Sequence, residues 1–413
     1  MSFLKRSSIY LISNIINASI PFILLPILTR YLTVSEYGQV AIFQTVITGL
    51  VSIIAFNTLG AMARAYFDDK DESYLRNYNG ACIVLLFASL LLLGGLMLLF
   101  AKQLIDFLSI SEKWLALAIV IAAINFVVQF RLNQWQIKEK ALHFGALQIG
   151  QSLLLFLFSI LFVVLLLKGA EGRVEAHLYS MLIVLAIVTF LIGKDKLVSF
   201  THLKKEMFTD ALSFGVPLIP HVFGMYLLSS VDRFFINAHL GSGKAGIYMV
   251  AMQLSMGFVI IFDAINKAFM PWLFKELNNS NYASRRGIAR KTYLYFLILI
   301  VLGALSFVIA PYVLTFVAGR DYYEGEAIIG WLCLGQIFLG MYLMVTNYIF
   351  YAKKTGQLSI LTILCGAFNV VLLLTLIKPY GIKGVAISFA ISMFIRFLGT
   401  WALAYRTKLV PWF

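Results

Sequence analysis

Residues Leu212–Leu254 read LSFGVPLIPHVFGMYLLSSVDRFFINAHLGSGKAGIYMVAMQL. Two apolar segments flank a short turn at Gly241–Gly243. The adjacent charges Asp232 and Arg233 interrupt the first segment where a lipid-facing helix would carry Leu or Val. Charge held inside hydrocarbon is expensive, so it needs a reason. The stretch has an echo upstream in LLPILTRYLTVSEYGQVAIFQ, Leu24–Gln44, where Leu32, Gly38 and Ala41 fall opposite Leu240, Gly246 and Met249. The chain reads as one unit written twice.

Composition sets the class. At 61% hydrophobic and 13% charged residues over 413 positions, with a mean hydropathy of +0.90, the chain is more apolar than a soluble domain can hide. It reads as an integral membrane protein. A net charge of +14 would suggest nucleic acid in a soluble protein, but in a multi-spanning one Lys and Arg gather in cytoplasmic loops, and no nucleic-acid partner is expected. Cys82, Cys333 and Cys365 each lie in an apolar run with no metal-ligand spacing, so neither metal nor cofactor is expected. The apolar run Ser7–Thr29 is too long for the core of a cleaved signal peptide and reads as a retained first span.

Runs long enough to cross ~30 Å of hydrocarbon recur about twelve times. Six are predicted near Ser7–Leu32, Tyr37–Ala63, Asn77–Ala101, Trp114–Phe130, Leu142–Leu167 and Ala176–Gly193. Six more fall near Ala211–His239, Ala245–Phe274, Thr292–Gly319, Ala327–Ala352, Thr355–Ile377 and Gly384–Tyr405. An even number puts both termini on one side. With that side cytoplasmic, the inner segments collect roughly twenty of the Lys and Arg residues, among them Lys204, Lys205, Arg285 and Arg286. Every Trp except Trp412 falls near a span end, as an aromatic belt requires. The connector 194–210 carries Leu197, Phe200, Leu203 and Met207 at helical spacing among basic residues and is predicted to be a cytoplasmic interfacial helix. It joins an N-terminal lobe, 1–193, to a C-terminal lobe, 211–413. The expected architecture is all-α, two six-helix bundles across a central cavity, related by an axis along the membrane normal because the repeats run in the same direction. A second echo agrees: Lys138–Lys140 and Lys353–Lys354 both sit between the fourth and fifth spans of their halves.

The charges inside the spans are the candidate site. Arg396 is deep in the last span, beyond easy snorkelling, and either contacts a phosphate or pairs with a carboxylate such as Asp263. Asp263 and Lys267 are four apart and share a face, so they pair or line a cavity; Lys267 could also snorkel toward the cytoplasm. Asp232 and Arg233 are adjacent, about 100° apart on a helix, and are expected to point in different directions. Arg30 and Arg64 lie at span ends, where a flanking anchor is the simple reading. Asn14, Asn17, Asn57, Asn125, Gln129, Asn266, Gln336 and Asn347 are amides within spans, expected mainly to tie helices together. Gly241, Gly243 and Gly246 spell G-x-G-x-x-G but join two spans, which removes the nucleotide reading. Pro217, Pro220 and Pro271 are candidate kinks. None of the five His residues has triad or ligand spacing, so no catalytic residues are visible.

Pro21–Leu32, PxxLLPxLTRYL, and Asp232–Tyr248, DRFFIxxxLGxxxxGIY, resemble the polysaccharide-export branch of the MATE-like exporter superfamily, to which O-antigen flippases belong. The resemblance implies a transporter that moves an undecaprenyl-diphosphate-linked repeat unit of O-antigen, the lipopolysaccharide polymer, or another surface polysaccharide across the bacterial inner membrane by alternating access. Its partners would be the lipid-linked oligosaccharide, membrane lipids, a polysaccharide polymerase and a chain-length regulator. On that reading Arg396, Lys267, Arg233, Arg30 and Arg64 form a cationic site for the diphosphate, with the motif LTRYL favouring Arg30. Asp263 and Asp232 serve ion coupling or charge pairing.

Two alternatives stand beside it. A cation-coupled drug exporter of the same superfamily needs acids in its first six spans. Glu36, Asp68, Asp69, Asp71, Glu72, Asp106, Glu112, Glu139, Glu171 and Glu175 all map to turns instead. A membrane polymerase or glycosyltransferase needs a site on a substantial external loop, and the longest external connection is only Arg320–Glu326.

Overall fold

A membrane-length segment must satisfy its backbone hydrogen bonds internally, which for a chain with these long apolar runs means helices. The computed structural model describes residues 3–68, 71–279 and 282–412; Asp69, one of the acids placed in turns above, lies outside the described residues. The chain forms two compact units, Met1–Tyr226 and Leu227–Phe413.

The first unit holds α1 (Phe3–Tyr31), α2 (Val34–Ile53), α3 (Leu59–Ala65), α4 (Glu72–Leu99), α5 (Ala101–Leu108), α6 (Glu112–Ile137), α7 (Ala141–Ser159), α8 (Gly169–Lys194), α9 (Lys205–Gly215) and most of α10 (Ile219–Ser229). The second holds α11 (Asp232–Leu240), α12 (Ser242–Ser255), α13 (Gly257–Asn279), α14 (Tyr282–Ala318), α15 (Glu326–Tyr351) and α16 (Thr355–Tyr405). Among the described residues 11 helical stretches are long and apolar enough to cross a membrane. The last of them, 51 residues, is broken at Gly381 (φ 57, ψ −141) into two passes. Among the described residues this makes twelve passes of membrane length, as the sequence implies.

The echo is built into the turns. α2 starts after Thr33, whose side chain caps Glu36 N–H while Glu36 caps Thr33 N–H in return. α12 starts after Gly241, at the matching position. The two basic turns match bond for bond. Lys138, Glu139 and Lys140 donate N–H to the carbonyls of Gln134, Gln136 and Trp135; Ala352, Lys353 and Lys354 donate to those of Tyr348, Phe350 and Ile349. Glu139 (φ 54) and Lys353 (φ 56) both take the left-handed conformation that ends a helix and starts the next.

The connector differs from expectation. The helix predicted over 194–210 is present only from Lys205; α8 runs through Lys194, and 195–204 is irregular. The reason is hydrogen bonding. The loop's backbone groups go to α4, with Ser199 N–H on the Arg76 carbonyl at 2.9 Å, Asn79 Nδ2 on the Leu197 carbonyl at 2.9 Å and His202 N–H on Asn77 Oδ1 at 3.0 Å. Leu197 and Met207 bury as predicted, but Phe200 is exposed.

Within the first unit α2 is interrupted. Ala55 (φ 50), Phe56 (φ 53) and Asn57 (φ 57) are left-handed in succession before α3 begins. Left-handed L-residues cost roughly 1–2 kcal/mol each. The neighbourhood holds the turn in place: Ala55 N–H donates to Ser89 Oγ at 2.9 Å, and Gly215 of α9 lies so close to the Phe56 carbonyl that a Cβ there would stand 2.3 Å from it.

In the second unit α15 is the central helix, buried along most of its length. Its glycines at 330, 335 and 340 are five apart, so each faces about 140° further round the helix. Each receives a phenylalanine ring from a different neighbour, Phe307 of α14, Phe389 of α16 and Phe262 of α13. Where lipid tails are as apolar as side chains, such close seats are how helices hold together. Cβ atoms at these positions would stand 2.6, 2.3 and 2.6 Å from the rings. We therefore expect Gly335→Leu to lower the thermal midpoint of the detergent-purified protein, by an overpacking penalty of about 1–3 kcal/mol. Gly94→Leu, which meets nothing within 4 Å, should leave the midpoint unchanged. Equal melting curves for the two variants would remove this packing argument.

Candidate functional site

The charged residues of the second unit fall into three groups. The first is at the start of α11, where Asp232 is 2% and Arg233 4% exposed. Their side chains meet, contrary to the expectation of divergence: Arg233 Nη1 is 3.4 Å from Asp232 Oδ1. The Cβ vectors do diverge, but the arginine is long enough to fold back. The same Nη1 donates to the Ser229 carbonyl at 2.7 Å, and Nε lies 3.2 Å from Met249 Sδ. Tyr248 donates its hydroxyl to Asp232 Oδ2 at 2.5 Å. This is an internally satisfied knot tying α11 to α12.

The second group is Asp263 and Lys267 on α13, with Nζ and Oδ2 2.5 Å apart. Here the side chains are 49% and 48% exposed. Asp263 precedes Lys267 by one turn, so the ammonium reaches back toward the start of α13 and away from the charged end at Lys275. Of the two readings open to Lys267, snorkelling toward that end is not what the side chain does. One residue away, Phe262 occupies the seat at Gly340 of α15, and Asn266 accepts a hydrogen bond from Asn347 Nδ2 at 2.7 Å.

The third group is Arg396 on α16, 2% exposed, with its guanidinium carbon 3.9 Å from the centroid of the Tyr342 ring on α15. Tyr342 is two residues from Gly340, so this cation and the Asp263–Lys267 pair lie at one level of the unit. Asp263 pairs with Lys267 rather than with Arg396. An arginine over an aromatic face keeps its charge and its planar fork while giving up water.

In the first unit, Arg30 is exposed and donates to the Pro26 carbonyl at 2.5 Å, closing the last turn of its own helix. Arg64 forms an ion pair with Asp210, lies 3.8 Å from Asp68 and sits 4.8 Å from the centroid of the Phe214 ring. Tyr78 donates to the same Asp210 carboxylate at 2.6 Å. Asp210 of α9 thus fastens both α3, through Arg64, and α4, through Tyr78. The structure brings neither arginine together with other candidate cations of its unit.

Two buried arginines were not singled out in the sequence. Arg131 forms an ion pair with Asp195 and lies 4.4 Å from the centroid of the Trp135 ring. Arg173 donates to Ser159, and its Nε has no hydrogen-bond partner among the described residues. Both fall just outside the predicted spans, because α6 and α8 extend beyond their uncharged runs. The i,i+4 spacing of Arg131 and Trp135 was the legible signal. For Arg173 there was none beyond the neighbouring Glu171 and Glu175, which are engaged by Lys113 and Lys168.

Two of the amides behave as predicted: Ser152 donates to Asn17, and Gln336 Nε2 reaches Ser255 Oγ at 3.4 Å. Asn369, not singled out in the sequence, accepts a hydrogen bond from Ser392 Oγ at 3.0 Å. Among the described residues no cluster of His, Cys, Asp or Glu could hold a metal ion.

A multi-spanning helical membrane protein with charges set at one level of its second unit has the fold of the MATE-like transporters. The likeness covers 99% of this chain and 98% of an inward-facing multidrug resistance MATE family transporter of the MOP superfamily, at TM-score 0.73 and 17% identity. It covers 97% of this chain and 87% of the lipid II flippase MurJ, at TM-score 0.75 and 14% identity. Identities this low establish the fold alone. The chain belongs to the polysaccharide biosynthesis protein family, whose model matches residues 3–277. Among relatives, "Lsg locus putative protein 1" of Haemophilus influenzae is 28% identical, over 96% of this chain and 98% of that protein. The "Probable low-salt glycan biosynthesis flippase Agl15" of Haloferax volcanii is 22% identical, over 95% of this chain and 82% of that protein.

Two outcomes follow from the ion pairs. Removing one partner of a buried pair leaves an uncompensated charge at about 3–5 kcal/mol. Arg233→Ala should therefore reduce the membrane level of folded protein sharply, and Asp232→Asn with Arg233→Met should recover much of it, as read by fluorescence-detected size exclusion. No recovery in the double variant would show that the pair is not the reason. Asp195 lies beyond the span end, and its hydrogen bond from Arg131 holds the carboxyl below its ordinary value of 3.8. A depressed carboxyl stabilises fully above its ordinary value and loses that contribution as pH falls through the lowered one. The thermal penalty of Asp195→Asn should therefore be the same at pH 8 and pH 5; a penalty that shrinks between them would contradict the assignment.

Proposed function

We propose that this protein flips a lipid-linked oligosaccharide, an undecaprenyl-diphosphate-linked repeat unit of O-antigen or another surface polysaccharide, from the cytoplasmic to the periplasmic leaflet of the bacterial inner membrane. It does so by alternating access, with both termini in the cytoplasm, and works alongside a polysaccharide polymerase and a chain-length regulator. Membership in the polysaccharide biosynthesis family supports the pathway, the flippase name carried by the Haloferax relative supports the transport step, and the MATE-like fold supports the mechanism.

The observation that carries the reading is the half-exposed pair Asp263–Lys267. A charge at the centre of a helix costs about 2.5–3.5 kcal/mol when presented to lipid. Two charges left half open on an apolar helix are therefore best explained by a water-filled path along that face. Lys267 is then the cation a diphosphate meets, with Asp263 holding it ready and releasing it to the stronger anion. Arg396, one level with it and seated on Tyr342, is the fixed positive charge behind this contact, whose field favours phosphate over a neutral sugar. Arg30 and Arg64 are the candidate cations of the first unit, Arg30 exposed and Arg64 paired with Asp210. Arg233, already satisfied by Asp232, Ser229 and Met249, holds α11 in place, and Asp232 is the acid available for ion coupling should Tyr248 give way.

The test is surface polysaccharide made by a flippase-null strain. A charge-assisted hydrogen bond to phosphate contributes about 1.5–3 kcal/mol, so Lys267→Ala should cut export roughly ten- to hundredfold at unchanged membrane level. Lys267→Arg should retain most of it, and Arg396→Ala should abolish it. The swapped chain, Asp263→Lys with Lys267→Asp, preserves mutual neutralisation but moves the cation by a turn. Wild-type export from Lys267→Ala, or from the swap, would remove Lys267 from the substrate path.

A further inference from the structure

The irregular segment 195–204 and the first turns of α4 enclose a cleft of about 510 Å³ in the first unit. Its polar walls include Arg76, Lys196, His202, Ser73 and Thr201, and no carboxylate is among the residues that line it. We propose that this cleft binds the phosphate headgroup of an anionic membrane lipid.

Three features carry the proposal. The first is that the cleft is built before any ligand arrives. The bonds from Ser199, Leu197 and His202 to α4 fasten the loop, and a Cβ on Gly80 would stand 2.0 Å from the Ser199 carbonyl. A site already shaped pays little ordering entropy on binding.

The second is charge. Lys196, which is exposed, Arg76, which is also held by Glu72 at 3.0 Å, and the His202 imidazole stand among hydroxyls, a donor set suited to phosphate oxygens. The cavity on the other side of Arg76 and Lys196, about 340 Å³, includes Glu72 and Asp195 and so offers mixed charge. Anion preference therefore belongs to the first cleft. Lys196 is held there in the left-handed conformation, φ 48, an unfavourable backbone for a lysine. That conformation puts a cation in the wall where an Asn or Gly would satisfy the turn at less strain.

The third is depth, which distinguishes a lipid from a soluble anion. Ile192, in the last turn of apolar α8, closes one side. The cleft thus straddles the level at which hydrocarbon gives way to water. Lipid phosphates lie there, and basic pockets at that level hold anionic headgroups.

The experiment uses the full-length protein in detergent, with lipid binding followed by native mass spectrometry and by thermal shift. Cardiolipin and phosphatidylglycerol should bind and raise the melting temperature; phosphatidylcholine should not. Each cation near a lipid surface is worth roughly a fivefold change in affinity. Lys196→Asn, which tolerates the left-handed backbone, should weaken cardiolipin binding about fivefold, and the pair Lys196→Asn with Arg76→Gln about twenty-five-fold. Melting without lipid checks that the variants fold, and Lys196→Asn alone carries the test if Arg76→Gln does not. Wild-type cardiolipin affinity in Lys196→Asn, equal binding of phosphatidylcholine, or displacement of the lipid by millimolar inorganic phosphate or pyrophosphate would each overturn the proposal.

Discussion

Hydrocarbon supplies no hydrogen bonds and no counter-charges, so every polar group carried into it must be answered from within the chain. That requirement organises this protein at each scale. It makes the backbone helical, seats phenylalanine rings directly on the glycines of α15, and ties Asp232 to Arg233, Tyr248 and the Ser229 carbonyl in one closed set of bonds. It also makes exceptions informative. Asp263 and Lys267 are paired but half open, and the part of a transporter that handles cargo is where such openness is expected.

Burial divides the intramembrane cations by task. Arg233 and Arg131 have carboxylates and serve as fasteners. Arg396 is seated on an aromatic face, where charge is kept without being offered. Lys267 is half exposed beside Asp263, on a flexible stem. On the proposed reading, the group that touches a ligand is separate from the groups that set the field around it.

Most of the architecture could be read from residue order because apolar run length and repetition are properties of the chain itself. Leu32 and Leu240 mark the same turn, and Lys138–Lys140 and Lys353–Lys354 the same helix reversal. The break at Gly381 falls between the two predicted runs it separates. What could not be read depended on partners distant in sequence. Leu197, Phe200, Leu203 and Met207 have helical spacing, yet α4 takes the loop's hydrogen bonds first. Arg131 pairs with Asp195, a partner that nothing nearby in sequence reveals. Helical angle alone sets Asp232 and Arg233 apart, and it is the length of the arginine side chain that brings them together.

The left-handed turn at Ala55–Asn57 stores torsion in the second crossing. Three residues there oppose the sense of the helices on either side, at a combined cost of roughly 3–6 kcal/mol. A right-handed helix advances about 100° per residue and a left-handed one winds back by as much, so reversing these three would change the winding of α3 and its Arg64 relative to α2 by more than a full revolution. The grip of Ser89 and Gly215 on this turn therefore sets the angular register of everything between Asn57 and the Arg64–Asp210 clasp. In mechanical terms α2 is a wound shaft with its catch on α4 and α9.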